Sequence, residues 1–122
     1  MELNLNQNNQ NEFLSILELL NTYTKEELKD ILGVFKSEIK EITQSLLKAS
    51  SENQNEAAGH LCHQLKGVFL SLNLDNLSKL TVEIENCFKL NNTQDAKEKI
   101  KKLNQSIGEL LLFLEHQGWF KD

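Results

Sequence analysis

The sequence contains no proline and has only five glycines, two cysteines and no long apolar run. Without proline, no helix has to bend or end at a residue that lacks a backbone N–H. The two cysteines, Cys62 and Cys87, are too few for a disulfide scaffold, so we expect reduced packing residues in a cytoplasmic protein. No apolar stretch approaches the roughly 18 residues of a membrane span, and residues 1–4 lack the basic region of a secretory signal.

Length and charge restrict the class of protein further. The 122 residues suit one domain, and the formal net charge of -5 argues against nucleic acid or a membrane surface as the main partner. Residues 1–10 are rich in Asn and Gln and have little to bury, so we expect a flexible tail there and a domain over residues 11–122. The initiating methionine and the self-contained length favour a standalone protein, which we expect to be monomeric.

Apolar residues recur at three- and four-residue steps along the rest of the chain, and no segment alternates as a strand would. Four long stripes of this kind are separated by short polar connections, and a shorter stripe precedes them. The predicted fold is all-α, an antiparallel four-helix bundle with an additional short N-terminal helix.

Polar residues at the predicted helix ends supply the start and stop signals. Thr24 with Glu27 forms a capping box that opens the first long helix. Asn53 is the corresponding capping signal for the next helix. Asn73 is expected to end that helix in a left-handed conformation, and Asp75 is expected to cap the one that follows.

One face of the helix predicted over residues 53–72 does not look like an ordinary solvated face. With about 100° per residue, and with Leu61 at the centre of the apolar stripe, His63 lies nearly opposite the core. Lys66 follows one turn later, on the same side. An ordinary exposed histidine is the simpler interpretation from position alone, so the neighbouring residues carry the argument.

Two glycines and a leucine surround His63 on the predicted outer face. A glycine inside a helix costs about 1 kcal/mol relative to alanine. A neutral substitution that the helix tolerates explains either glycine alone. Gly59 and Gly67 together suggest that another molecule approaches the backbone closely. An exposed Leu70 among small residues is typical of a docking patch.

Phosphoryl acceptance is the chemistry that this face supports. A neutral imidazole is a competent nucleophile near pH 7, and a phosphoryl group on His63 would carry negative charge that Lys66 can pair. The chain has no Gly-rich phosphate loop and no kinase motif. The phosphoryl group should therefore come from one protein and pass to another.

The segment from His63 to Gly67 reads His-Gln-Leu-Lys-Gly, and Leu-Asn-Leu follows from Leu72 to Leu74, with Leu77 beyond it. This pattern resembles the His-x-Leu-Lys-Gly motif, and the Leu-Gly-Ala and Leu that follow it, in the histidine phosphotransfer (Hpt) domain of multistep two-component phosphorelays. The resemblance covers about residues 24–117, and the helices before and after the motif occur in the expected order.

The resemblance implies roles for particular residues. His63 would be phosphorylated, Lys66 would stabilise the phosphoryl group, and Gly67 would give a receiver domain access. Glu85, on the following helix, would hydrogen-bond the other imidazole nitrogen; the alternative is a solvated carboxylate beside the apolar stripe. Four further residues are expected to form the partner-binding surface: Gly59, His60, Gln64 and Leu70.

Two departures from the family pattern stand out. Asn73 replaces the glycine that follows the motif leucine, but asparagine tolerates a left-handed turn, so the fold is not threatened. Val68 and Phe69 replace the small residues that commonly follow the motif glycine. Their bulk could alter the choice of partner.

The predicted function is that of a phosphocarrier without kinase or ATP-binding activity. It would accept a phosphoryl group on His63 from a receiver-domain phospho-aspartate and relay it to another response regulator. The expected partners are receiver domains and a hybrid sensor kinase, and no cofactor is expected apart from Mg²⁺ on the partner receiver domain. The alternatives are a non-catalytic helical adaptor and a metal-binding bundle using His60 and His63, for which the sequence offers no further inward ligands.

Overall fold

The computed structural model describes residues 7–116 and 118, with side chains at positions 12, 14–19, 21–116 and 118. This part of the chain contains no strand, which confirms the all-α prediction. Five helices follow one another: α1 (Gln7–Leu20), α2 (Lys25–Ser51), α3 (Asn55–Ser71), α4 (Asp75–Lys89) and α5 (Thr93–His116).

Helices α2 to α5 form the predicted four-helix bundle. Helix α3 packs between α2 and α4, α4 packs against α5, and α5 closes the ring against α2. Helix α1 lies against α4 and α5. The largest fully buried side chains come from every helix, and they include Ile16, Leu32, Ile39, Leu65, Phe69, Ile84, Leu103 and Leu110. No helix in the described residues is both long and apolar enough to span a membrane.

The connections after α2, α3 and α4 use the same turn. Each places an asparagine at φ 57°, namely Asn53, Asn73 and Asn91. The N–H of the next residue donates to a carbonyl five positions earlier, as in a Schellman motif: Gln54 to Ala49 (2.9 Å), Leu74 to Phe69 (2.9 Å) and Asn92 to Cys87 (2.8 Å). The left-handed conformation predicted for Asn73 is confirmed.

The helix starts were predicted with less success. The capping box of α2 is confirmed, since the Thr24 hydroxyl accepts a bond from the Glu27 N–H (3.2 Å) and the Glu27 carboxylate accepts one from the Thr24 N–H (3.3 Å). The capping roles predicted for Asn53 and Asp75 are wrong. Asn53 is committed to the left-handed turn that ends α2, and Asp75 is already the first residue of α4. The N-cap positions of α3 and α4 are Gln54 and Leu74, and neither has a side-chain cap.

Helix α1 begins at Gln7, so residues 7–10 of the predicted flexible tail are helical, while residues 1–6 lie outside the described residues. Asn and Gln lower helix propensity only slightly relative to better helix formers, so they do not prevent the helix from starting early. At position 12 the helix meets α4, where the buried Glu12 carboxylate accepts a hydrogen bond from the Asn76 N–H.

The buried face of α3 differs from the predicted one. Its buried residues are Ala58, Cys62, Leu65 and Phe69, whereas Leu61, the centre of the predicted stripe, is only partly buried. The centre of the buried face is therefore rotated by about 70° from Leu61. Apolar residues cover a wide arc of α3, and packing against the neighbouring helices buries the part of that arc that contains the bulky Phe69.

Candidate functional site

His63 lies in the middle of α3 with 67% of its side chain exposed. Although the buried face is rotated from the predicted one, His63 remains at the surface, because its side chain points well away from the buried Leu65 and Cys62. His60, Gln64, Gly67 and Leu70 are also exposed, and Gly59 is partly buried. The structure thus keeps His63 and the predicted partner-binding residues at or near the surface of one helix.

Glu85 on α4 faces His63 across the α3–α4 seam. Its Oε2 atom lies 4.0 Å from Nδ1 of His63, and its side chain is only 15% exposed. This distance is within ion-pair range and longer than a hydrogen bond. The placement of Glu85 beside His63 agrees with the prediction, but the hydrogen bond that the family resemblance implies is not formed at this distance. With Nδ1 directed at the carboxylate, Nε2 is the nitrogen on the far side of the ring.

Two lysines lie near His63 and Glu85, and they differ in whether they form an ion pair. Lys66, one turn after His63, is partly buried and forms no ion pair with any described side chain. Lys89, on α4, has its Nζ 3.7 Å from the same Oε2 of Glu85. Sequence reasoning missed Lys89, although its spacing of four residues from Glu85 is typical of an ion pair on one helix face.

Neither glycine of the α3 surface is required by packing within the chain. A Cβ built at Gly59 or Gly67 would meet no atom within 4 Å, beyond its own neighbours and helix backbone. The same holds for Gly33 and Gly108, which lie inside α2 and α5. Packing therefore does not explain Gly59 and Gly67, which differ from the other two helical glycines in lying beside His63.

An open groove of about 520 Å³ runs along the seam between the start of α3 and the end of α4. Eight residues line it: Asn55, Glu56, Gly59, His60, Glu85, Phe88, Lys89 and Asn91. The Asn55 side-chain amide donates to Oδ1 of Asn91 (2.9 Å) and links the start of α3 to the turn after α4 at one end of the groove. Gly59 and His60 border this groove, whereas Gln64 and Leu70 do not.

Cys62 precedes His63 in sequence but faces the core, with 1% of its surface exposed. Burial raises the pKa of its thiol to about 12, and the negative charges of Glu85 and Cys87 act in the same direction. Both cysteines are free thiols. Within the described part of the chain, no group of three or more His, Cys, Asp and Glu side chains could hold a metal ion.

In the comparison with family models, the chain matches the Hpt domain over residues 30–112. The chain belongs to the Hpt domain family. The matched region contains all of α3 and α4, and therefore His63, Lys66, Gly67, Glu85 and Lys89. No curated protein and no solved structure matches significantly. Hpt domains are helical-bundle modules for histidine phosphotransfer in phosphorelays, and they interact with receiver domains and kinases without being kinases themselves.

Proposed function

We propose that this Hpt domain protein accepts a phosphoryl group on Nε2 of His63 from the phospho-aspartate of a receiver domain. It then passes the group to the receiver domain of a second response regulator. The observation that carries this proposal is the exposed His63 imidazole with Nδ1 directed at the nearly buried Glu85 carboxylate. Such a carboxylate favours a proton on Nδ1 and leaves the Nε2 lone pair available for attack.

The transfer can be written from these atoms. The Nε2 lone pair attacks phosphorus, the bond from phosphorus to the aspartyl oxygen breaks, and the aspartate leaves as a carboxylate. The ring keeps its proton on Nδ1 and so gains positive charge. Glu85 stabilises this charge, because its Oε2 lies on the Nδ1 side of the ring. Transfer to the second receiver domain reverses these steps.

Lys66 and Gly67 complete the proposed site. Lys66 forms no ion pair with the described side chains, so its ammonium can pair with the phosphoryl oxygens. Gly67 leaves open space where the receiver domain approaches. We assign Mg²⁺ to the receiver domain, whose acidic pocket requires it, and phosphorylation of that domain to a hybrid sensor kinase. We also propose that the protein acts as a monomer in the cytoplasm, where free thiols persist.

The decisive experiment incubates the protein with a receiver domain that carries radiolabelled phosphoryl aspartate. We expect acid-labile, base-stable label on the wild-type protein and none on His63→Gln. His116→Gln, at the end of α5, is the matched histidine control and should be labelled like the wild type. Label that persists in His63→Gln would refute the assignment. A wild-type protein that binds the phosphorylated receiver domain but takes no label would instead support the adaptor alternative.

A further inference from the structure

A single oxygen of Glu85 is shared between His63 and Lys89. Oε2 lies 4.0 Å from His63 Nδ1 and 3.7 Å from Lys89 Nζ. The terminal torsion of a glutamate side chain is broad, so the direction of its oxygens is set by their partners. Lys89 therefore restrains the oxygen that faces the imidazole.

Lys89 and Lys66 also differ in which negatively charged group each can pair with. Lys89 is engaged by Glu85, whereas Lys66 has no such partner among the described side chains. A phosphoryl group arriving at His63 would otherwise meet an uncompensated carboxylate nearby. The Lys89 ammonium offsets that charge and leaves Lys66 to pair with the phosphoryl group.

We propose that Lys89 is a positioning residue for phosphoryl acceptance, acting through Glu85 on the tautomer of His63. The inference rests on the proposed function, since it assigns a role within the same site. Lys89 is 66% exposed, and ion pairs at such positions are weak. The expected effect is accordingly a change of about two- to fivefold, and not a loss of activity.

The first test needs no phosphoryl donor. Two-bond ¹H–¹⁵N NMR of the full-length protein reports which imidazole nitrogen of His63 carries the proton. We expect the Nδ1-protonated form to predominate in the wild type and in Lys89→Arg, and the mixture to become more even in Lys89→Gln. Lys101→Gln, an exposed lysine of α5, controls for the loss of one positive charge and should resemble the wild type.

The second test measures the kinetics of acceptance from the phosphorylated receiver domain. Lys89→Gln should lower the single-turnover rate constant at saturating receiver domain by about two- to fivefold, with little change in the half-saturating concentration, and Lys89→Arg should restore it. In a Glu85→Ala background, Lys89→Gln should have no further effect, because the two residues act in series. Thermal unfolding of each variant verifies that the bundle is intact.

The outcomes separate this inference from the function on which it rests. A Lys89→Gln protein with wild-type tautomer populations and a wild-type saturating rate constant overturns the inference, while label on His63 leaves the function standing. A change in the half-saturating concentration alone also overturns it, because Lys89 would then contact the partner directly. If the wild type takes no label, the proposed function fails, and the NMR measurement still decides whether Lys89 positions Glu85.

Discussion

The Glu12 carboxylate accepts a 2.6 Å hydrogen bond from the backbone N–H of Asn76, across 64 positions of sequence. Asn76 lies in the first turn of α4, a helix that has no side-chain cap of its own. Helix α1 therefore supplies an acceptor that the start of α4 lacks. Although α1 precedes the region matched by the family model, it is joined to the helix that carries Glu85.

The first prediction concerns the pH dependence of stability. Burial raises the pKa of Glu12 above its ordinary value of 4.5, while the N–H groups of Asn76 and Leu77 act against this rise. A raised pKa means that the folded state holds the proton more tightly. The stabilisation from Glu12 is therefore complete below about pH 4.5 and is lost as the pH rises through the raised pKa.

Glu12→Gln, which is neutral at every pH and keeps an oxygen acceptor, should gain stability relative to the wild type as the pH rises above about 4.5. Urea unfolding of both proteins at a series of pH values from 4.5 upwards measures the difference. Relative to Glu12→Gln, Glu12→Ala removes the acceptor for Asn76 and should lose about 1 kcal/mol at every pH, because neither variant titrates at this position. A Glu12→Gln advantage that shrinks as the pH rises would contradict the assigned direction.

The second prediction separates stability from transfer at the helix glycines. Gly59→Ala, Gly67→Ala and Gly108→Ala should each raise the free energy of unfolding by about 0.5–1 kcal/mol, because each added methyl has free space inside a helix. Only the two changes beside His63 should slow phosphoryl acceptance. Chemical denaturation and the labelling assay measure the two effects on the same proteins.

A larger side chain at position 67 should slow phosphoryl transfer more than alanine does. Gly67→Arg should keep the fold and block transfer by obstructing the receiver domain, with Gly108→Arg on α5 as its matched control. Wild-type transfer rates in Gly67→Arg would show that no partner approaches the backbone at this point.

The third prediction tests the turn after α3. Asn73 has φ 57°, a conformation that costs alanine about 1 kcal/mol and glycine almost nothing. Asn73→Ala should therefore unfold about 1 kcal/mol more easily than Asn73→Gly, as measured by denaturant unfolding. The glycine variant restores the residue that the family pattern has at this position. Equal stability of the two variants would contradict the role assigned to the left-handed turn.

Local signals in the sequence predicted the number of long helices, the capping box at Thr24 and the turn at Asn73. These features depend on residues close together in the chain. The predicted centre of the buried face of α3 differs from the observed one by about 70°. Apolar residues cover much of that helix, and the neighbouring helices decide which of them are buried. The Glu12 contact with Asn76 could not be predicted locally, since its two residues are distant in sequence.

The candidate site was largely predictable because its main residues belong to one short motif on one helix. The family resemblance placed Glu85 opposite His63, where the structure has it, but the implied hydrogen bond is not formed at 4.0 Å. Lys89 was missed because an exposed lysine near a helix end has many ordinary explanations. Its ion pair with Glu85 lies within α4, and the relation of that pair to His63 becomes visible only when α3 and α4 are packed together.

Cys62 and His63 are adjacent in the chain, yet the turn of the helix sends their side chains in different directions. A thiolate is a stronger nucleophile than an imidazole, and on the surface it would compete for an incoming electrophile. Burial keeps this thiol protonated and out of reach. The helix would thereby give the proposed site chemical selectivity, since a phosphorylated partner docked on this face would meet nitrogen and not sulfur.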